Sequence, residues 1–160
     1  MFRNMIRSKQ QLSEDEAVVV LQRNTHGVLA CSGDNDYPYA VPLNYVFADH
    51  KIYFHCAGKG HKLDAIVKNH RVSFAVVDQD QIVSAEYTSY YRSVIAFGTA
   101  RLAEGEEWQK GFVALVEKYC SDRPIEEQQQ EIEGCKRSRI IAIDIEHLTG
   151  KEAKELSGVI

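Results

Sequence analysis

The stretch from Gly27 to Cys56 limits this fold more than any other, because three β-rich runs follow one another there with only short turns between them. Gly27–Ser32 is apolar, and Gly33-Asp34-Asn35-Asp36 has the composition of a tight hairpin turn. Tyr37–Phe47 is aromatic and β-branched, and Ala48-Asp49-His50 reads as the next turn. Lys51–Cys56 then alternates, with Ile52, Phe54 and Cys56 on one face and Tyr53 and His55 on the other. Parallel neighbours need a crossover of about a dozen residues or more, so connections this short dictate an antiparallel meander. Pro38 and Pro42 lack backbone donors, which puts the middle run at a sheet edge or bulge. A bulged edge leaves main-chain groups free to meet a ligand.

The flanking sequence supplies helices and further strands. Ser13 and Glu16 form a capping box that opens a helix over 13–23, with Ala17, Val20 and Leu21 on one face. Leu63, Ile66 and Val67 predict a helix from about Gly60 to Asn69, and Arg71–Asp78 is apolar enough for a strand buried on both faces. Gln79–Tyr91 has no clear period and predicts an irregular excursion before a strand over Ser93–Arg101, in which Gly98 permits a bulge or close backbone approach. Trp108, Phe112, Leu115, Val116 and Tyr119 recur at helical intervals and predict a helix over 105–120. After Pro124, Glu126–Gly134 predicts a solvated helix or loop, and Arg139–Ile145 a closing strand. The order α-β-β-β-α-β-loop-β-α-β, with about six mostly antiparallel strands, suggests a barrel, since closure removes exposed edges. One domain over 1–160 is expected, with an N-terminal arm (1–11) and a polar helix or loop excursion (121–137).

Charge and composition exclude several classes of function. A net charge of −4 and a pI near 5.9 argue against a general nucleic-acid or anionic-membrane surface, so basic residues must act locally. No apolar run approaches the ~20 residues of a membrane span, and Met1–Arg7 lacks a secretory h-region, so a cytoplasmic protein is expected. Cys31, Cys56, Cys120 and Cys135 are widely spaced without a C-x-x-C motif and read as reduced structural thiols. His26, His50, His70 and His147 are scattered over strand ends and turns, and no metal site is expected.

Chemistry concentrates after His55, in Cys56-Ala57-Gly58-Lys59-Gly60-His61-Lys62. The helix that follows puts His61 and Lys62 near an N-terminus, where free N–H groups and the positive dipole end attract anions. Gly58 and Gly60 let the backbone approach a bound group, while Lys59, His61 and Lys62 supply charge. A phosphomonoester suits this set.

Taken in order, Gly27–Ala30, Tyr37–Tyr45, Ile52–Ala57, Gly60-His61-Lys62, Tyr91–Val94, Phe97-Gly98 and Ile145–Lys151 give the chain its resemblance to a known family. From about Leu12 to Leu156 it resembles the FMN-binding split barrels related to pyridoxamine 5′-phosphate oxidase, in their nitroimidazole-resistance-like branch. The resemblance implies a mainly-β fold: a six-stranded antiparallel split β-barrel with flanking helices. It implies a homodimer with FMN at the subunit interface, the Val41–Tyr45 segment along the isoalloxazine, and polar contacts from the backbone of Pro42, Leu43 and Asn44. It assigns the ribityl phosphate to His55, Cys56, Ala57, His61 and Lys62, and brings Tyr91, Arg92 and Ser93 toward the flavin. The activity implied is reduction of a small aromatic or nitro compound with electrons from NAD(P)H or another donor, with His55 the candidate catalytic residue. The alternative is a non-catalytic barrel that binds flavin or haem, with His55 as a haem ligand. The Arg- and His-bearing C-terminal signature of the vitamin B6 oxidases is missing; Ile143-Asp144-Ile145-Glu146-His147 and Lys151 stand there instead.

Overall fold

Ser13 starts the first helix, α1 (Glu14–Arg23), through the expected reciprocal cap: its hydroxyl accepts from the Glu16 N–H, and the Glu16 carboxylate accepts from the Ser13 N–H at 2.7 Å. The computed structural model describes residues 1–135 and 137–159. Strand β1 (His26–Ser32) turns through Asn35 and Asp36, at φ 54° and 61°, into β2 (Pro38–Asn44). Asn and Asp tolerate this left-handed region better than bulkier residues. The hairpin registers Ser32 opposite Pro38 and His26 opposite Asn44.

The run expected as one strand over Tyr37–Phe47 is divided at Tyr45. Before the break, β2 pairs with β1; after it, β3 (Val46–Ala48) pairs with β4 (Lys51–Cys56). The remaining elements are α2 (His61–Lys68), β5 (Arg71–Val83), β6 (Thr88–Leu102), α3 (Gly105–Cys120), α4 (Ile125–Gly134) and β7 (Arg139–Glu152). All seven strands join one antiparallel sheet in the order β2-β1-β5-β6-β7-β4-β3, so the mainly-β class holds, with seven strands in place of six. Its two edges, β2 and β3, are consecutive in the chain. A single residue links them, so the sheet curls until its edges come together at Tyr45 without pairing into a ladder there. That is the split of the barrel.

Tyr45 is fully buried and held from both sides. Its hydroxyl donates to the Leu21 carbonyl of α1 at 2.7 Å, and its N–H donates to the Tyr119 hydroxyl of α3 at 3.1 Å. Lys118 lies over its ring at 4.5 Å. Inside the curl, Leu29, Phe54, Phe74, Val94, Ile141 and Ile143 pack with Val20 and Leu21 of α1 and Ile66 of α2. A second cluster lies outside the sheet, where Phe112, Leu115 and Val116 of α3 cover Tyr53, Ile140 and Ala142. Tyr53 was expected to face outward with His55; it does, but α3 covers it to 3% exposure while His55 stays open. Ile140–Ile143 is buried on both faces for the same reason.

Two further findings concern exposed segments. Gln79–Tyr91 is not irregular: β5 and β6 continue through it as a hairpin arm, with Val83 opposite Thr88. Residues 126–134 take the helical alternative as part of α4, which has no buried residue. Within the expected 121–137 excursion Lys136 lies outside the described residues, as does Ile160 of the expected domain. No helix of the described residues is long and apolar enough to cross a membrane.

Candidate functional site

The split leaves two strand edges without ladder partners. β2 pairs only with β1, and the β3–β4 ladder ends at Val46 opposite Tyr53, so Phe54–Cys56 pairs only with β7. Tyr39 from β2 and Cys56 from β4 line a cleft that the start of α2 completes with Ala57, Lys59, Gly60, His61, Lys62 and Leu63. Gly60 sits at φ 133°, which only glycine adopts readily, and no side chain of the described residues caps the helix. The first N–H groups of α2 and the dipole end are therefore offered to a bound anion. Its volume of about 180 Å³ falls below the roughly 300–1,000 Å³ of ordinary small-molecule pockets, so it suits a ligand's charged end rather than a whole nucleotide.

His61 is fixed by contacts that were not anticipated. Its ring stacks on Tyr39 at 4.1 Å, and its Nε2 lies 3.7 Å from the Asp34 carboxylate in the β1–β2 turn. Tyr39 belongs to the site although sequence reasoning passed over it; the available signal was its period-2 spacing from Val41 and Leu43 along one face of β2. Lys62 places its ammonium 5.7 Å from the centre of the Phe54 ring. Burial raises the Cys56 thiol above its ordinary pKa, partly offset by Lys62 and Arg139. Cys31 is likewise raised by burial against Lys62. Both thiols stay protonated near neutrality and are poor nucleophiles. Among the described residues no three His, Cys, Asp or Glu side chains gather as a metal site.

The other expected contacts fall into separate groups. Val41 and Leu43 point inward and pack on the core, whereas Pro42 and Asn44 are exposed, so β2 offers a ligand mainly its open backbone edge. Pro42 shares the outer face of the sheet with Tyr91 and Ser93, through the cross-strand row Pro42, Val28, Ala75, Ile95 and Thr149. The buried Tyr91 hydroxyl has no partner among the described residues, and Lys151 lies over its ring at 5.2 Å. His55, exposed on β4, does not line the cleft.

Arg92 requires a correction. It points inward, is 3% exposed, and its guanidinium is engaged inside the fold. It donates to Glu152 at 2.9 Å, to Asp78 at 3.3 Å and to the carbonyls of Leu156 and Val159. A bulge puts the carboxylate there: Asp78 and Gln79 together oppose Arg92. Four of its five N–H donors are taken within the fold, and burial keeps the guanidinium from a phosphate outside it.

The fold recurs in solved structures. A conserved hypothetical protein from Mycobacterium tuberculosis superposes with a TM-score of 0.81 at 21% identity, over 96% of this chain and 92% of that one. A candidate 5-nitroimidazole antibiotic resistance protein from Bacteroides thetaiotaomicron gives 0.75 at 16%, over 89% and 86%. An FAD-binding protein from Mesorhizobium loti gives 0.62 at 25%, over 91% and 98%. No curated protein matches. The model of the pyridoxamine 5′-phosphate oxidase family matches residues 13–152, the whole sheet and every element that builds the cleft, and the chain belongs to that family.

Proposed function

We propose that this chain is an FMN-binding flavoprotein that reduces a small aromatic or nitro compound with electrons from NAD(P)H or another donor. The carrying observation is the uncapped start of α2, which sets Lys59, His61 and Lys62 around a small cleft between two unpaired strand edges. That donor set fits a phosphate: backbone N–H groups, a helix dipole and adjustable positive charge act together. His61 and Lys62 would hold the phosphate beside Cys56 and Ala57. The open edge of Pro42, Leu43 and Asn44 would meet the polar rim of the rings, and Ser93 would supply a hydroxyl on the same face, beside the ring of Tyr91. When bound, FMN supplies the redox chemistry, and the protein positions it and its substrate.

A cleft of this size leaves most of the cofactor uncovered, which favours a homodimer whose second copy closes over the flavin at the interface. The FAD-binding relative and the 5-nitroimidazole resistance relative support the same class of chemistry. The missing C-terminal signature argues against pyridoxamine phosphate as substrate, and the composition favours a cytoplasmic setting.

Absorption of the purified protein tests this directly. Flavin bands, with FMN rather than FAD released on heating, are expected, and Lys62→Ala should weaken FMN binding by about 1.5–3 kcal/mol, roughly 10- to 150-fold. A protein that is colourless and takes up no added FMN refutes the proposal. A Soret band would replace flavin with haem and make His55 the ligand to mutate.

A further inference from the structure

A larger depression of about 570 Å³ lies over the outer face of the sheet and shares no lining residue with the cleft at α2. Its floor is a cross-strand row, Ala30, Ser73 and Phe97, continued on β7 by His147. Ala30 and Ser73 are small and leave a trough. At one end Phe97 and His147 form a shelf of two rings with centres 6.0 Å apart. Phe2 lies on that shelf, stacked on His147 at 4.6 Å and 12° and tilted against Phe97 at 5.4 Å.

Little else holds Phe2 in place. Residues 1–5 have no regular secondary structure, and among the described residues no main-chain hydrogen bond ties down residues 1–6. The residue is 43% exposed even with its ring on the shelf. At the trough's wall Arg71 is exposed, and among the described residues it has no ion-pair partner. Glu146 also lines the trough, its carboxylate accepting from the Thr99 hydroxyl.

We infer that the trough is a binding site for a flat aromatic carboxylate, and that Phe2 occupies the ring position until such a ligand displaces it. The volume lies within the ordinary ligand range of roughly 300–1,000 Å³. The Phe97–His147 shelf takes the ring by stacking, Arg71 takes the carboxylate as a two-pronged donor, and Ser73 lines the floor between them. Glu146 disfavours a second acidic group on the ligand. The site needs no flavin, so it stands or falls separately from the proposed cofactor.

Calorimetric titration with 1-naphthoate tests it on the protein as purified, alongside Phe2→Ala, Arg71→Ala and the double variant. Both side chains are exposed, so neither substitution disturbs the core. Removing the competing ring should tighten naphthoate binding about two- to tenfold, the worth of one aromatic contact. Arg71→Ala should weaken it about tenfold or more, with or without Phe2. Unchanged or weaker binding in Phe2→Ala makes Phe2 part of the wall rather than a stand-in and overturns the inference. So does equal affinity in Arg71→Ala, or no binding to any of the four proteins.

Discussion

Replacing Arg92 by alanine lowers the free energy of unfolding by about 3–5 kcal/mol, because it strands the buried Glu152 carboxylate without a counter-charge and takes a partner from Asp78, which keeps Arg23. The side chains of Asp78 and Glu152 are each 6% exposed, so water cannot take over the role of the guanidinium. Two carbonyls near the C-terminus, of Leu156 and Val159, lose their donor as well. Against a typical total of about 5–15 kcal/mol the loss is large, and in a domain of this size it corresponds to a fall of roughly 10 °C in Tm. Urea denaturation of the two proteins measures it; a loss under about 1 kcal/mol would show that water or rearranged side chains satisfy the carboxylates.

Acid provides an independent check on the same cluster. For Asp78, burial works to raise the pKa, but hydrogen bonds from Arg23 and Asn24, the charge of Arg23 and the hydrogen bond from Arg92 outweigh it and leave the group below its ordinary value. A carboxylate depressed by folding contributes stability that is fully present above its unfolded pKa and is lost as pH falls through the folded value. The native protein therefore loses this contribution only well into acid. In Arg92→Ala one of the depressing partners is gone, so the loss is complete at a higher pH, and the gap between the two proteins narrows as Asp78 is neutralised in the native protein.

Gly98→Ala is the other substitution expected to cost the most, about 3 kcal/mol or more. A Cβ at this position would stand 2.2 Å from the Asp144 carbonyl oxygen and 3.1 Å from Cγ2 of Ile143. Overpacking typically costs about 1–3 kcal/mol when side chains can give way, and here the obstacle is the backbone of β7. The ladder shifts register at this point, with Gly98 opposite Ile145 and Phe97 opposite His147, which leaves Glu146 as the extra residue on β7. Gly58→Ala serves as the control: its Cβ would meet nothing within 4 Å, and it should stay within about 0.5 kcal/mol of the native protein in the same melts. Equal stability of the two variants would mean that β7 yields at little cost.

Local signals in the chain carried well into the structure. The Ser13–Glu16 cap, the Asn35-Asp36 turn and the Gly60 helix start each depend on residues close in sequence, and all three form as their chemistry requires. Features that depend on distant partners were not legible. Tyr37–Phe47 reads as one β-rich run, because the break at Tyr45 is made by Leu21 and Tyr119, which belong to other elements. The arm over 79–91 has little alternation because both of its faces meet solvent, so the period that marks a half-buried strand is missing. Arg92 looked like a ligand contact because its carboxylates lie 14 and 60 residues away in sequence. At the site, the glycine-rich start of α2 was readable from composition, whereas the stacking of Tyr39 on His61 needed β2 and α2 brought side by side.

The strand order has a consequence for how the molecule is made. β4 has only two neighbours, the three-residue β3 and the last strand, β7. A ribosome delivers the β1–β2 hairpin early, and the β5–β6 arm can zip onto it as soon as it emerges. Lys51–Cys56, synthesised between them, has to wait for Arg139–Glu152 before it gains a full ladder. Until then Ile52 and Phe54, fully buried at the end, lack their partners Ile143 and Ile141. The half-made chain is thus at its most aggregation-prone just before synthesis of β7, and a chaperone would find its binding segment in β4.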